Sequence, residues 1–99
     1  MYGTVARMRV KPGMEERILQ FNRDFENVQV PGWVAEYAYR TDADPNEYYL
    51  AVIFESKEAY VANANAPEQH ARYLQLLELL DGEPEWHDGD IVYAYPPNN

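Results

Sequence analysis

The sequence predicts an α+β fold in which one antiparallel sheet carries helices on one face. Three observations lead there. Period-two alternation gives way to helical spacing and returns, twice along the chain, so strand-helix-strand is repeated. The segment Tyr48 to Glu55 is apolar on both of its faces, as in a strand that is central or covered on both sides. Pro12-Gly13, Pro31-Gly32 and Asp81-Gly82 punctuate the chain where elements should end.

Tyr2 to Lys11 is the first strand, with Tyr2, Thr4, Ala6, Met8 and Val10 on one face and Val5, Arg7 and Arg9 on the other. Met14 to Val28 is the first helix. Met14, Ile18, Phe21, Phe25 and Val28 form its apolar stripe, and Glu15 and Glu16 suit the positive end of its dipole. Trp33 to Arg40 is the second strand, in which Trp33, Ala35, Tyr37 and Tyr39 share a face. The hydrophilic TDADPNE loop, Thr41 to Glu47, has hairpin length and turn chemistry. Tyr48 to Glu55 is the third strand. Ser56 is placed to cap a short helix, SKEAYVANANA, and Pro67 to begin a longer one in which Tyr73, Leu74, Leu76, Leu77, Leu79 and Leu80 form a broad stripe. Asp81-Gly82 ends that helix, Glu83 to Asp90 is a turn-rich connection, and Ile91 to Tyr95 is the fourth strand, stopped by Pro96-Pro97.

The order β-α-β-β-α-α-β is that of two split βαβ units on one antiparallel sheet, the ferredoxin-like plan. Helices cover one face only, so the second apolar face calls for a partner. The expectation is a homodimer with the two sheets facing each other in an α/β barrel.

Bulk composition narrows the function. The 99 residues, 46% hydrophobic and 25% charged, suit one globular domain over residues 1–99 rather than a disordered chain. Nine Tyr against three Phe suit a lined pocket, a subunit interface or a solvated strand face. A net charge of −9 leaves no basic footprint for nucleic acid and disfavours anionic membrane surfaces. With no cysteine, thiolate nucleophiles and Cys-based zinc sites are excluded and a reducing compartment fits. The first residues lack a signal-peptide core, and no apolar run reaches spanning length, so a cytoplasmic protein is expected. No glycine-rich phosphate loop or serine elbow is present, so no cofactor is indicated.

Four segments, VARMRVKPGMEE, AVIFESKEAY, APEQHARY and EPEWHDGDIV, resemble the antibiotic biosynthesis monooxygenase family of dimeric α/β-barrel proteins, over nearly the whole chain from Tyr2 to Tyr95. The middle motif of that family usually begins Trp-Glu-Ser; Phe54 stands here in place of the tryptophan. The resemblance implies a pocket between the sheet and its helices in each subunit, and cofactor-independent oxygenation of an aromatic quinol or polyketide-like molecule. It leaves open a non-catalytic ligand-binding or stress-responsive dimer and a muconolactone-type isomerase on the same scaffold. The haem-degrading branch uses an asparagine, a tryptophan and a histidine where this chain has Ala6, Asn63 and Tyr73, so haem chemistry is disfavoured. In the quinol-oxygenase branch a histidine often follows the segment's proline directly; here Glu68 and Gln69 intervene before His70.

His70 is the candidate catalytic base. It sits in the first turn of the long helix with Leu74 and Leu77 continuing its face, and an imidazole is suited to take a phenolic proton. The alternative is a surface or hydrogen-bonded structural histidine. Trp33, Tyr37, Tyr48 and Tyr73 are candidate ring-binding residues, since flat rings bind flat rings and a phenol hydroxyl sets orientation; plain core or interface packing is the alternative. Asn63 is a candidate to orient a carbonyl or peroxide oxygen, or is solvent-exposed. Trp86-His87-Asp88 supplies one imidazole and one acid, too few for a metal without ligands from elsewhere.

Overall fold

The computed structural model describes residues 1–96, in which seven elements follow one another: β1 (Tyr2–Arg9), α1 (Glu15–Phe25), β2 (Trp33–Arg40), β3 (Glu47–Phe54), α2 (Lys57–Ala64), α3 (Pro67–Leu79) and β4 (Glu85–Asp90). The strands form one antiparallel sheet in the order β2-β3-β1-β4, the ferredoxin-like α+β arrangement. Strands joined by helical crossovers are separated by one strand, as in split βαβ units.

Alternation in β1 decides which side is core. Thr4, Ala6 and Met8 are buried, whereas Val5 and Arg9 are exposed. The main cluster joins Ala6, Met8 and Val10 to Ile18 of α1, Tyr48 of β3 and Leu76, Leu79 and Leu80. Ser56 caps α2 as its position suggests, its Oγ accepting from the Ala59 amide at 3.1 Å. Pro67 opens α3, where its missing N–H costs nothing. Gly32 leaves the α1–β2 connection at φ +79°, and its carbonyl accepts from Glu55 N at 2.8 Å. A side chain on Gly3 would run into the Val52 carbonyl, so glycine there permits the close approach of β1 to β3.

Besides ending α1 at Phe25, which leaves Val28 beyond the helix and 42% exposed, the structure corrects the sequence reading in four places. The fourth strand is Glu85–Asp90 rather than Ile91 to Tyr95. The segment EWHDGD is polar because it is an edge strand, while the more strand-like IVYAY that follows forms no strand and is largely exposed, with Val92 at 94% and Tyr93 at 71%. Pro97, expected to help stop that strand, lies outside the described residues. Helix α3 does not end on Gly82. It ends at Leu79, because Leu80 is extended and bridges Val10 while Asp81 N donates to the Arg9 carbonyl at 2.7 Å. The stripe on α3 is narrower than expected, with Leu76 and Leu79 buried but Leu74 51% exposed.

The fourth correction concerns β2. Trp33 pairs with Phe54 and Ala35 with Ile53, so Val34 is a bulge residue. A bulge changes the parity of the side chains around it. Trp33 therefore shares a face with Glu36 and Ala38, and Tyr37 and Tyr39 lie on the opposite one. That opposite face, bare of helices, carries Tyr37, Tyr39 and Val5 at 61%, 59% and 48% exposure.

Candidate functional site

Between the sheet and its helices lies a cavity of about 500 Å³. Thr4, Met8, Leu50, Val52 and Phe54 make its floor from the central strands. Each helix contributes one face at helical spacing. Ile18, Phe21, Asn22 and Phe25 come from α1, Tyr60, Asn63 and Ala64 from α2, and Gln69, Arg72, Tyr73 and Leu76 from α3. Rings meet at both flanks. Phe25 and Trp33 stand 6.2 Å apart near β2, with the Arg72 guanidinium 4.6 Å over the Phe25 ring. Tyr73 and Trp86 stand 6.2 Å apart beside β4, and Tyr60 packs edge-on to Phe54 at 5.6 Å.

Five of the six residues singled out from sequence line this cavity: Trp33, Tyr48, Asn63, His70 and Tyr73. Tyr37 does not, since it projects from the bare face of β2. Tyr48 is buried in the floor. His70 is exposed and stands beside the cavity-facing row of Gln69, Arg72, Tyr73 and Leu76. Its helical neighbours Leu74 and Leu77 are not the cavity face, so it belongs to the rim rather than the interior.

The strongest polar features escaped the sequence reading. Glu36 faces the cavity from β2. Burial pushes its carboxyl pKa up, and the attraction of Arg72 only partly opposes this. Arg72 itself donates to Gln69 Oε1 at 2.6 Å. At the other flank the Tyr60 hydroxyl donates to Asp88 Oδ1 at 2.8 Å. Burial first, and the Asp88 carboxylate second, push the Tyr60 phenol up to about 12, so it stays protonated at neutral pH. Thr4 adjoins this pair. It is 5% exposed, and its Oγ1 is buried with no hydrogen-bond partner among the described residues.

These polar groups lie on one line across the sheet. Glu36 is opposite Val52, Val52 opposite Thr4, and Thr4 opposite Asp88. Two carboxylates thus stand at the two edges of one row with Val52 and Thr4 between them, three strand spacings or about 14 Å apart along the backbone. Parity would have exposed Glu36 had the bulge at Val34 been foreseen, and Asp88 had β4 been placed correctly. Trp86 lines the cavity from β4 and is 42% exposed.

The remaining charges lie elsewhere. Arg7 pairs with Glu47 at 2.7 Å and Glu85 at 3.6 Å, and His87 approaches Glu85 at 3.4 Å, all on the bare side of the sheet. Among the described residues no three His, Cys, Asp or Glu side chains converge as a metal site would need, and no helix is long and apolar enough to cross a membrane.

Comparison with known proteins gives a consistent picture. The family model described as antibiotic biosynthesis monooxygenase matches residues 1–78. Among solved structures, SnoaB, a cofactor-independent oxygenase from Streptomyces nogalater, is similar at 17% identity over 97% of each chain, with a TM-score of 0.77. The NE2512 protein of Nitrosomonas europaea, of unknown function, is similar at 19% identity over 99% of this chain and 95% of that one, with a TM-score of 0.78. A conserved protein of Methanosarcina mazei is similar at 17% identity over 89% of each, with a TM-score of 0.77. At such identities the likeness is one of fold. No curated protein matches the sequence.

Proposed function

The chain belongs to the antibiotic biosynthesis monooxygenase family, and on that footing we propose that it is a cofactor-independent monooxygenase of an aromatic quinol or polyketide-like small molecule, acting as a homodimer. The observation that carries this reading is the cavity itself: about 500 Å³ walled by Phe25, Trp33, Tyr48, Tyr73 and Trp86, a shape and lining suited to a flat ring system.

The substrate supplies the electrons. Loss of a phenolic proton makes the ring electron-rich enough to reduce dioxygen. The ring carbon para to that oxygen, a CH in the anion, takes up O₂, and the abstracted proton returns to give a hydroperoxide on a carbon that still bears one hydrogen. Loss of water leaves a carbonyl, so one oxygen atom is retained and the other departs in water. His70 at the rim is the assigned proton acceptor. Trp33, Tyr48 and Tyr73 hold the ring, and Asn63 faces the oxygen. Tyr37, on the other side of the sheet, has no part in this site. Oxygen uptake with a panel of dihydroxynaphthalenes and anthrones tests the reaction class. Turnover by His70→Ala equal to that of the parent removes His70 from the mechanism.

The dimer reading is supported by the bare sheet face and by the exposed segment after β4, where Val92, Tyr93 and Tyr95 stand 71–94% exposed. Apolar surface of this extent is costly in water. A species of 11.5 kDa by light scattering contradicts it.

A further inference from the structure

We propose that Thr4 is the specificity-determining residue of this cavity, its hydroxyl oxygen accepting a hydrogen bond from a hydroxyl of the aromatic ligand. The inference deepens the reading above, on which it rests for the aromatic character of the ligand.

The starting point is a buried hydroxyl without a partner. Thr4 Oγ1 is enclosed on the floor of the cavity and unpaired among the described residues. Such groups are rare in folded proteins and call for an explanation. Thr4 sits directly opposite Asp88 across the β1–β4 ladder, where facing side chains start about 4.5–5.5 Å apart. The Tyr60 hydroxyl reaches Asp88 from α2, so the phenol, the carboxylate and the threonine hydroxyl gather at one spot.

The chemistry of this trio sets its polarity. An ionised carboxylate only accepts, so Tyr60 must donate its single proton to Asp88. The phenol oxygen then has lone pairs to offer. Thr4 pulls the Tyr60 pKa down as a hydroxyl donating to the phenol oxygen does, yet its Oγ1 makes no bond of good geometry, so the contact to Tyr60 leaves it short of a full partner. A hydroxyl rotor turns to suit its surroundings, and a chain ending on a charged acceptor is the strongest pull available to it. The Thr4 proton therefore points to Tyr60 and its lone pairs to the cavity. A ligand hydroxyl completes the chain; a methyl ether or other acceptor-only oxygen does not.

The test is a binding titration of the full chain with 1-naphthol and 1-methoxynaphthalene, which needs no turnover. Parent protein is expected to prefer 1-naphthol about tenfold, the worth of one hydrogen bond. Thr4→Val weakens 1-naphthol alone and erases the preference, while Thr4→Ser keeps it. Tyr60→Phe, which leaves Thr4 in place but removes the group that turns it, shrinks the preference severalfold. Equal affinity of the parent for the two probes, or an undiminished preference in Thr4→Val or Tyr60→Phe, overturns the assignment while leaving the aromatic-cavity reading intact. Failure of both probes to bind overturns that reading and the assignment together. Thr4-dependent selectivity without oxygen uptake by any phenol sustains the assignment and sinks the oxygenase.

Discussion

Thr4→Val should make the fold more stable while weakening its ligand, and the two signs together are diagnostic. Thr4 is 5% exposed and its Oγ1 has no partner among the described residues. A hydroxyl buried without a bond costs about 1–3 kcal/mol. Valine has nearly the same shape and is at least as well suited to a strand, so the substitution removes the penalty without opening a cavity. Tyr60 lies close by, so part of the penalty is already relieved, and the low end, about 1 kcal/mol, is the expected gain. For a domain of this size that is about 4–8 °C in Tm. The assay is thermal and urea unfolding followed by circular dichroism at pH 7. Protein concentration must be matched, because the stability of an oligomer depends on it. The urea midpoint should rise with the slope unchanged. A fall in Tm of several degrees refutes the reasoning, since it means that the free protein already satisfies this hydroxyl. A merely damaged protein loses stability and affinity together.

Three further outcomes follow from the same geometry. In a spectrophotometric titration, one of the nine tyrosines should ionise near 12 and be missing in Tyr60→Phe. Because the folded pKa lies above the ordinary 10.0, the stability that Tyr60 contributes is complete below pH 10 and is lost as pH rises toward 12. Glu36 also has a raised pKa, from burial, so its contribution is complete below the ordinary 4.5 and is lost as pH rises through the folded value. Glu36→Gln is therefore expected to gain stability over the parent at pH 7 and to match it at pH 3, by urea titration. Leu80→Ala, at a side chain 2% exposed in the main cluster, should cost about 2–5 kcal/mol; a loss below 1 kcal/mol would mean that the Val10–Leu80 bridge holds without the packing.

Much of the fold was legible because it depends on local patterns. Alternation in β1, the stripe of α1, the Ser56 cap and the proline at the start of α3 each carry their own signal, and the limits of β2 follow directly from Trp33 and Arg40. What was not legible depends on pairing. The bulge at Val34 has no glycine or proline to mark it, yet it decides that Trp33 and Glu36 look into the cavity and that Tyr37 looks away. In β4, Glu85, His87 and Asp88 are poor strand formers in isolation. They form a strand because Tyr2 to Arg7 offers an unpaired edge, which local propensity cannot report. The residues found from sequence are accordingly the rings and His70, conspicuous by type. The residues missed are Thr4, Glu36, Tyr60 and Asp88, conspicuous only by position.

The register of β4 thus decides the chemistry of the cavity. Trp86 and Asp88 point in because they pair with Ala6 and Thr4; Glu85 and His87 point out because they pair with Arg7 and Val5. A slip of one residue would exchange the two sets and present an imidazole to Thr4 instead of a carboxylate. Few contacts guard against that slip. Outside, Arg7 reaches Glu85 at 3.6 Å with both side chains well exposed, a bond of little worth in water. At the strand's end, Ile91 N donates to the Met1 carbonyl at 3.0 Å. On the helix side, the Tyr60–Asp88 bond at 2.8 Å ties the edge strand to α2, although Asp88 is itself exposed. The bond that sets the polarity of Thr4 is therefore also a clamp on the strand that brings Asp88 there. Evolution of a different ligand preference at this flank is constrained on both counts, since changing Asp88 alters the recognition and loosens the wall that carries it.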